Sequence, residues 1–253
     1  MKYPRLGVNI DHVATLRNQR GEFYPEIDRA AEVSLATGAH QITIHLREDR
    51  RHIKDADVPL VHEMCRKFKL PLNLEMGCSE EMTQIAINEK PEWVCLVPEK
   101  REERTTEGGL DVVDPKNYEK VRLTCEKIKA GSPQTKISLF VEADEEVLER
   151  CLTMKADAVE IHTGEYAKDF LEKKDLSKHL TKYAEGSALI KARGWGYHAG
   201  HGLTFESLVP LLEQAKFEEY NIGHWIVAES VFIGLGHVIK EMLTLMKKYP
   251  LEG

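Results

Sequence analysis

Histidines and glutamates that can exchange protons stand at the ends of several short apolar runs of this sequence. His45 and Glu75 each close such a run, and His201 lies between Gly200 and Gly202. Imidazole titrates near neutral pH, and burial at the mouth of a fold raises the pKa of a carboxyl group toward that range unless a cation offsets it. These residue types therefore favour general acid–base catalysis.

Two glycine–histidine segments, Gly200–Thr204 and Gly223–His224, are typical of phosphate-binding loops. Glycine lets backbone N–H groups approach an anion closely, and a following helix adds oriented donors and the positive end of its dipole. A second cationic group lies near the ends of the first two apolar runs and consists of Arg20, Arg47, Arg50, Arg51 and His52. Arginine suits phosphate, although Arg50–Arg51 also fits a solvated turn. The sequence thus indicates two anion sites, and so either two substrates or a bisphosphate.

Metal binding is not favoured by the spacing of the candidate ligands. His198 and His201 do not form a helical HExxH pair, and the five cysteines never occur as CxxC. A P-loop and a GxGxxG dinucleotide fingerprint are also absent from the sequence. We therefore expect no required metal.

Eight β-like runs alternate with helix-like segments and would position these side chains. The expected strands are Leu6–Ile10, Gln41–Leu46, Leu70–Met76, Trp93–Val97, Ile137–Val141, Ala158–Ile161, Trp195–Ala199, whose pattern is weak, and Tyr220–Gly223. The clearest helices are Pro25–Thr37, Asp57–Lys67, the segment from Ser79 to Pro91, Asn117–Ala130 and a single final helix over Glu229–Lys248. This alternation predicts one (β/α)₈ TIM-barrel domain over residues 1–253, with a doubly wound open sheet as the alternative. In such a barrel the carboxyl ends of the strands carry the active site.

The composition excludes several classes of protein. A net charge of -7 and a pI of about 5.9 argue against a nucleic-acid partner. The sequence has neither an apolar run approaching the roughly 20 residues that span a bilayer nor the long apolar core of a signal peptide. Five cysteines, odd in number and dispersed, indicate reduced thiols. We expect a cytoplasmic protein without a membrane partner.

The same residues fall into motifs that resemble the pyridoxine 5′-phosphate synthase family, the ring-closing enzymes of vitamin B6 biosynthesis. The motifs follow the family's order through nearly the whole chain: Gly7–Arg17, His45–His52, Asn73–Met76, Leu96–Arg101, Thr105–Asp111, Glu160–Gly164, Ala199–Leu203 and Asn221–His224. The resemblance implies a barrel with extra helices, assembled as a homo-octamer. It also implies a transferase that uses no cofactor and condenses 1-deoxy-D-xylulose 5-phosphate with 3-amino-2-oxopropyl phosphate. The products would be pyridoxine 5′-phosphate, phosphate and water.

The resemblance also assigns roles residue by residue. It implies that His45 and Glu75 accept protons, that His201 donates one, and that Glu160 stabilises charge in the transition state. The residues implied to bind the amino-ketone phosphate are Asn9, Arg20, Gly202, Gly223 and His224. Those implied to bind the deoxyxylulose phosphate are Asp11, His12, Arg47, His52 and Thr105.

One segment departs from the family pattern, and another is expected to move. The family has Asn before Ala-Gly-His-Gly, where this sequence has His198 after a glycine-rich stretch, which leaves the register of the seventh strand open. The long polar segment Pro98–Asp111 is predicted to close over the site and exclude water.

Two other functions are compatible with the residues alone. An aldolase or isomerase barrel would use a Schiff-base lysine, for which Lys100, just beyond the fourth strand, is the nearest candidate. A barrel retained as a structural or regulatory subunit would need none of the acid–base residues.

Overall fold

Eight parallel strands close into a barrel in the computed structural model, which describes residues 2–103 and 108–251. The strands are β1 (Arg5–Asn9), β2 (Gln41–His45), β3 (Leu72–Met76), β4 (Trp93–Leu96), β5 (Lys136–Val141), β6 (Ala158–His162), β7 (Gly196–Gly200) and β8 (Glu219–Ile222). Each pairs with the next along the chain, and β8 pairs with β1. The predicted TIM barrel is confirmed, and the open sheet is excluded.

Helices follow every strand, and two helices follow β1, β6 and β8. In the described part of the chain they are α1 (Asp11–Arg20), α2 (Ile27–Thr37), α3 (Asp57–Phe68), α4 (Glu80–Glu89), α5 (Pro115–Gly131), α6 (Glu145–Cys151), α7 (Gly164–Leu171), α8 (Ser177–Ala192), α9 (Phe205–Gln214), α10 (His224–Ile233) and α11 (Leu235–Met246). None of these helices is long and apolar enough to cross a membrane.

Alternate residues of each strand pack outward against the helices and form the main apolar core. Leu6 and Val8 of β1 are fully buried in this layer, as are Ile42 and Ile44 of β2. The intervening residues point into the barrel because successive strand side chains face opposite sides. The strand ends therefore deliver their inward side chains to one mouth of the barrel.

Two of the sequence predictions about helices need correction. The final helix is two helices, because the chain turns at Gly234 with φ of +86°, a value that favours glycine. The second correction is an omission: no helix was predicted where α1 lies. Its sequence has few apolar residues and no clear periodicity, and it is held instead by the buried Arg17–Asp57 ion pair.

The seventh strand is regular despite its glycines, which settles its register. His198 of β7 pairs with Glu160 of β6, and Gly200 pairs with His162. A Cβ atom on Gly196 would lie 2.9 Å from Nε2 of His198, so this glycine makes room for the ring. His198 points to the amino-terminal end of the barrel, where it lines a second cavity of about 450 Å³. It does not line the cavity at the carboxyl ends.

Candidate active site

A cavity of about 750 Å³ lies at the carboxyl ends of the strands, within the usual size range for a small-molecule site. Nearly all of the predicted site residues line it. They are Asn9, Asp11, His12, His45, Arg47, His52, Glu75, Glu160, His201, Gly202, Gly223 and His224. These side chains, which come from separate strand ends, thus converge on one mouth of the barrel.

His45 and Glu75 face each other on the paired strands β2 and β3. Nδ1 of His45 lies 3.9 Å from Oε2 of Glu75. The carboxylate of Asp11 fixes the local backbone, since its Oδ1 accepts the His45 N–H at 2.8 Å. Its Oδ2 accepts a bond from the Asn9 amide at 2.9 Å. A histidine and two carboxyl groups therefore share one corner of the cavity.

The carboxyl groups of this corner hold their protons more tightly than usual. Burial raises the pKa of Glu75 well above its ordinary value, and the charges of Glu160 and Asp11 raise it further. Burial also raises the pKa of Asp11, against the attraction of the nearby His45. Groups shifted in this direction can take part in proton transfer near neutral pH.

Glu99 is a neighbour of His45 to which the sequence assigned no role. Its Oε1 lies 3.4 Å from Nε2 of His45, and its Oε2 accepts the Glu48 N–H at 2.8 Å. Burial favours the neutral form of Glu99, but these contacts outweigh it and lower its pKa. His45 therefore lies between two different carboxyl groups. Glu75 tends to stay protonated, whereas Glu99 tends to stay ionised.

Asp11, His45 and Glu75 are also the described residues whose geometry would allow a shared metal ion. One ligand atom of each lies within 4.8 Å of the others. The set is one imidazole and two carboxyl groups, which suits several divalent cations. The same three residues form the acid–base corner, so one set of atoms would serve either chemistry.

Glu160 lies deeper, in a barrel interior that is lined by hydrogen-bonded polar side chains. Asn221 donates to its Oε2 at 2.7 Å. The Asn221 oxygen in turn accepts from Gln41 at 3.1 Å and from Thr43 at 3.2 Å. Burial raises the pKa of Glu160 to about 8, although the bond from Asn221 opposes the shift. Bulky branched residues fill most such barrels, so this polar interior was not predicted.

His201 lies at the turn that follows β7 and has an unusual backbone. Its φ is +82° and that of Gly202 is +80°, values that a residue with a side chain adopts at a cost. Burial, together with the charge of the neighbouring His162, lowers the pKa of His201 to about 4. The ring is therefore neutral at pH 7 in the free protein.

The glycine–histidine loops after β7 and β8 lie beside the starts of helices, as the sequence predicted. Gly223 immediately precedes α10, and Gly202 lies three residues before α9. A Cβ atom on Gly223 would lie 2.8 Å from Cβ of Asn9, so only glycine allows this approach. Backbone N–H groups at helix starts bind phosphate well, and many barrels hold phosphate after these two strands.

The predicted cationic cluster is divided in the structure. Arg47 and His52 line the cavity, and Nδ1 of His52 lies 2.8 Å from the Thr15 hydroxyl. His12 joins them, with its ring 4.9 Å from that of His224. Burial lowers the pKa of both His12 and His52. Burial thus favours the neutral form of both rings.

The other three arginines of the cluster do not line the cavity. Arg50 pairs with Asp55 at 2.9 Å and also with Glu81, and Arg51 pairs with Asp49. Arg20 is exposed at the end of α1. Thr105 lies outside the described residues, as does the rest of 104–107, so its role and the closure of Pro98–Asp111 stay predictions.

Comparison with known proteins decides the family. Residues 6–248 match the family described as "Pyridoxal phosphate biosynthesis protein PdxJ". The chain is 44% identical over 250 residues to the pyridoxine 5′-phosphate synthase of Caulobacter vibrioides, covering 98% of this chain and 97% of that one. It is 45% identical over 247 residues to the synthase of Aquifex aeolicus, covering 96% and 99%. The chain belongs to the PdxJ family.

Solved structures that resemble this PdxJ-family chain share its fold at low identity. Thiamine phosphate pyrophosphorylase from Pyrococcus furiosus has a TM-score of 0.61 at 12% identity, covering 97% of this chain and 96% of that one. Tryptophan synthase from M. tuberculosis has a TM-score of 0.64 at 8% identity, covering 97% and 92%. These likenesses show the barrel fold alone.

The Schiff-base alternative finds no support in the site of this PdxJ-family barrel. Lys100 is exposed, and no lysine lines the cavity within the ranges 2–103 and 108–251.

Proposed function

We propose that the chain is a pyridoxine 5′-phosphate synthase that condenses 1-deoxy-D-xylulose 5-phosphate with 3-amino-2-oxopropyl phosphate. The products are pyridoxine 5′-phosphate, inorganic phosphate and water. One observation carries the proposal: in a chain about 45% identical to named synthases, the acid–base and phosphate-loop residues converge on one cavity.

The acid–base residues suit the bonds that must form and break. The amine of one substrate attacks a ketone of the other, and loss of water gives an imine. Elimination of phosphate and ring closure then need protons removed from carbon. We assign these removals to His45 and Glu75, which share a corner of the cavity. Several positioned acids and bases around one cavity meet this requirement.

His201 is assigned the donor role, which sets a condition on substrate binding. Its ring is neutral in the free protein because its pKa is about 4. A phosphate bound beside Gly202 would favour the protonated ring by charge attraction. We therefore expect His201 to acquire its proton as the phosphorylated substrate binds. Glu160, held by Asn221, is assigned to stabilise charge in the transition state.

The two phosphates are assigned to the two sides of the cavity. Asn9, Gly202, Gly223 and His224 would hold the amino-ketone phosphate at the starts of α9 and α10. Asp11, His12, Arg47 and His52 would hold the deoxyxylulose phosphate, and Arg20 and Thr105 remain predicted members of these sets. Binding of the dianions would protonate His12 and His52, whose pKa values are low in the free protein.

The decisive experiment is product formation from these two substrates, read by pyridoxine 5′-phosphate absorbance in metal-chelated buffer. Product in that buffer supports the proposed reaction without metal. Activity that returns only with added divalent cation would instead assign a metal to Asp11, His45 and Glu75. Absence of product in both buffers would refute the proposal. Borohydride trapping with either sugar phosphate should give no adduct, whereas an adduct would favour an aldolase.

We also propose that the chain self-associates, in keeping with a homo-octamer. Exposed apolar side chains on the contacting helices α1 and α10 and in the turn after α1 support this; they are Leu16, Phe23, Tyr24, Val231, Phe232 and Ile233. Phe232 is 81% exposed, and exposed apolar surface of this kind commonly marks an interface. Light scattering should show a smaller assembly for Phe232→Glu than for the unmodified chain.

The five cysteines are free and buried, which supports the proposed cytoplasmic location.

A further inference from the structure

Three consecutive residues, His162, Thr163 and Gly164, contact His201 from different directions. They join the end of β6 to the start of α7, beside the turn after β7 that carries His201. None of the three has a part in the roles assigned above. His162 packs against the ring of His201, Thr163 bonds to its backbone, and Gly164 leaves space beside the ring.

His162 packs directly against the ring of His201. The ring centroids lie 5.0 Å apart, and His162 is 7% exposed. Its Nδ1 lies 3.0 Å from Oε1 of Glu142, which also accepts the Gly109 N–H at 2.9 Å. A carboxylate bonded to one ring nitrogen fixes both the tautomer and the orientation of a histidine. The position of the His162 ring is therefore fixed, and this ring limits the movement of the His201 ring packed against it.

Thr163 holds the backbone of His201. The Thr163 side chain is fully buried, and its hydroxyl lies 2.7 Å from the His201 carbonyl and 2.8 Å from that of Gly200, so that its one proton is shared between them. The Thr163 N–H also donates to the Gly200 carbonyl at 2.9 Å. Because His201 has a φ of +82°, its conformation persists only if surrounding contacts fix it. The threonine hydroxyl supplies that contact.

Gly164 leaves the space that these contacts need. A Cβ atom at this position would lie 2.5 Å from Nε2 of His162 and 3.3 Å from Cδ2 of His201. A side chain there would push the two rings apart. The glycine is thus required by the packing of the histidines.

We propose that Thr163 and the Glu142–His162 pair are positioning residues that hold the backbone turn and the ring of His201 in the geometry for proton donation. The proposal rests on the function proposed above, because it assigns His201 a catalytic part.

The test compares Thr163→Val, which removes the hydroxyl while keeping the shape, with Thr163→Ser, which keeps the hydroxyl. Thr163→Val should lower kcat by about tenfold or more and change KM for each substrate by less than about threefold, since misplacement of a reacting group mainly affects the chemical step. Thr163→Ser should recover most of the lost kcat. A wild-type kcat in Thr163→Val, or an equal loss in both variants, would overturn the proposal.

A second measurement does not depend on turnover. NMR titration of the His201 ring in the substrate-free protein should show its pKa rise in His162→Phe, because a like charge is lost. His162 and Glu142 are the ionisable groups that act on this ring, and without the His162 charge only burial would oppose the effect of Glu142. An unchanged His201 titration would overturn the part of the proposal that concerns His162. If the unmodified chain makes no product but these shifts occur, the proposed function fails while the contacts stand.

Discussion

His45 of β2 and Glu75 of β3 are register partners, and Nδ1 of His45 lies 3.9 Å from Oε2 of Glu75. Burial raises the pKa of Glu75 well above its ordinary value. The imidazole lies beside a carboxyl group that holds its proton in the free protein. Proton acceptance by this carboxyl group therefore depends on pH, and the first prediction concerns it.

Glu75→Gln should lower kcat by about 10²–10⁴-fold with little change in KM, because the amide cannot accept a proton. In the unmodified chain kcat/KM should rise with pH, since an acceptor with a raised pKa becomes a carboxylate only on the alkaline side. Steady-state rates over the pH range check both effects. A Glu75→Gln variant that keeps the rising pH limb would assign that limb to another group.

Glu160→Gln should stabilise the folded chain at alkaline pH. The folded-state pKa of Glu160 is about 8 against an ordinary value of 4.5, so the folded state binds its proton more tightly than the unfolded state. The stability that this tighter proton binding contributes is fully present below pH 4.5, the ordinary pKa, and is lost as the pH rises to about 8, the pKa in the folded state. The amide stays neutral, so the variant should gain on the order of a few kcal/mol over the unmodified chain by pH 9.

Denaturant unfolding of the two proteins at pH 5 and pH 9 measures this gain. The difference in unfolding free energy should be small at pH 5 and should grow up to about pH 8. Glu32→Gln, on the exposed side of α2, serves as the matched control and should show no such growth. A constant difference between Glu160→Gln and the unmodified chain would contradict the raised pKa.

Breaking the ion pair between Arg17 of α1 and Asp57 of α3 should be costly. Two bonds of 2.7 and 2.8 Å join the guanidinium to the carboxylate, and both residues are buried. Arg17→Met should lower the free energy of unfolding by about 3–5 kcal/mol, because it leaves a buried carboxylate without its cation. Lys67→Met, which breaks an exposed pair with Glu63, should cost less than about 1 kcal/mol. Equal costs for the two variants would argue against burial as the cause.

Gly223→Ala should weaken binding of the amino-ketone phosphate more than it slows the chemistry. The added Cβ would lie 2.9 Å from Oδ1 of Asn9 and displace that side chain. KM for this substrate should rise by about tenfold, which corresponds to the loss of one good contact. Gly236→Ala, in α11 and away from the cavity, is the control. A lower kcat with unchanged KM would show that Asn9 acts on the chemical step instead.

The strands and the composition of the site followed from sequence because each depends on local pattern. Short β-like runs defined the strands, and Glu160 and His162, which belong to one of the quoted motifs, both line the cavity. The helix α1 was missed because a buried ion pair between distant residues holds it. The break at Gly234 was missed because the apolar periodicity continues through it.

The division of the arginine cluster could not be predicted from sequence either. Arg47 and Arg50 are three residues apart, yet one lines the cavity and the other pairs with Asp55 and Glu81. The packing of the helices decides which carboxylate pairs with which guanidinium, and the spacing of the residues in the sequence does not. The contribution of Asn221 was also hidden, since its bonds to Glu160, Gln41 and Thr43 join strands that are far apart in the chain.

These shared bonds of Asn221 also constrain how the barrel interior can evolve. A single replacement at Asn221 would strip a partner from three buried polar groups at once, and each unpaired group carries a desolvation cost. Accepted substitutions should therefore arrive as compensating sets across β2, β6 and β8, with strong epistasis among them. The outward-facing apolar residues of the same strands, which share no hydrogen bonds, should drift one position at a time.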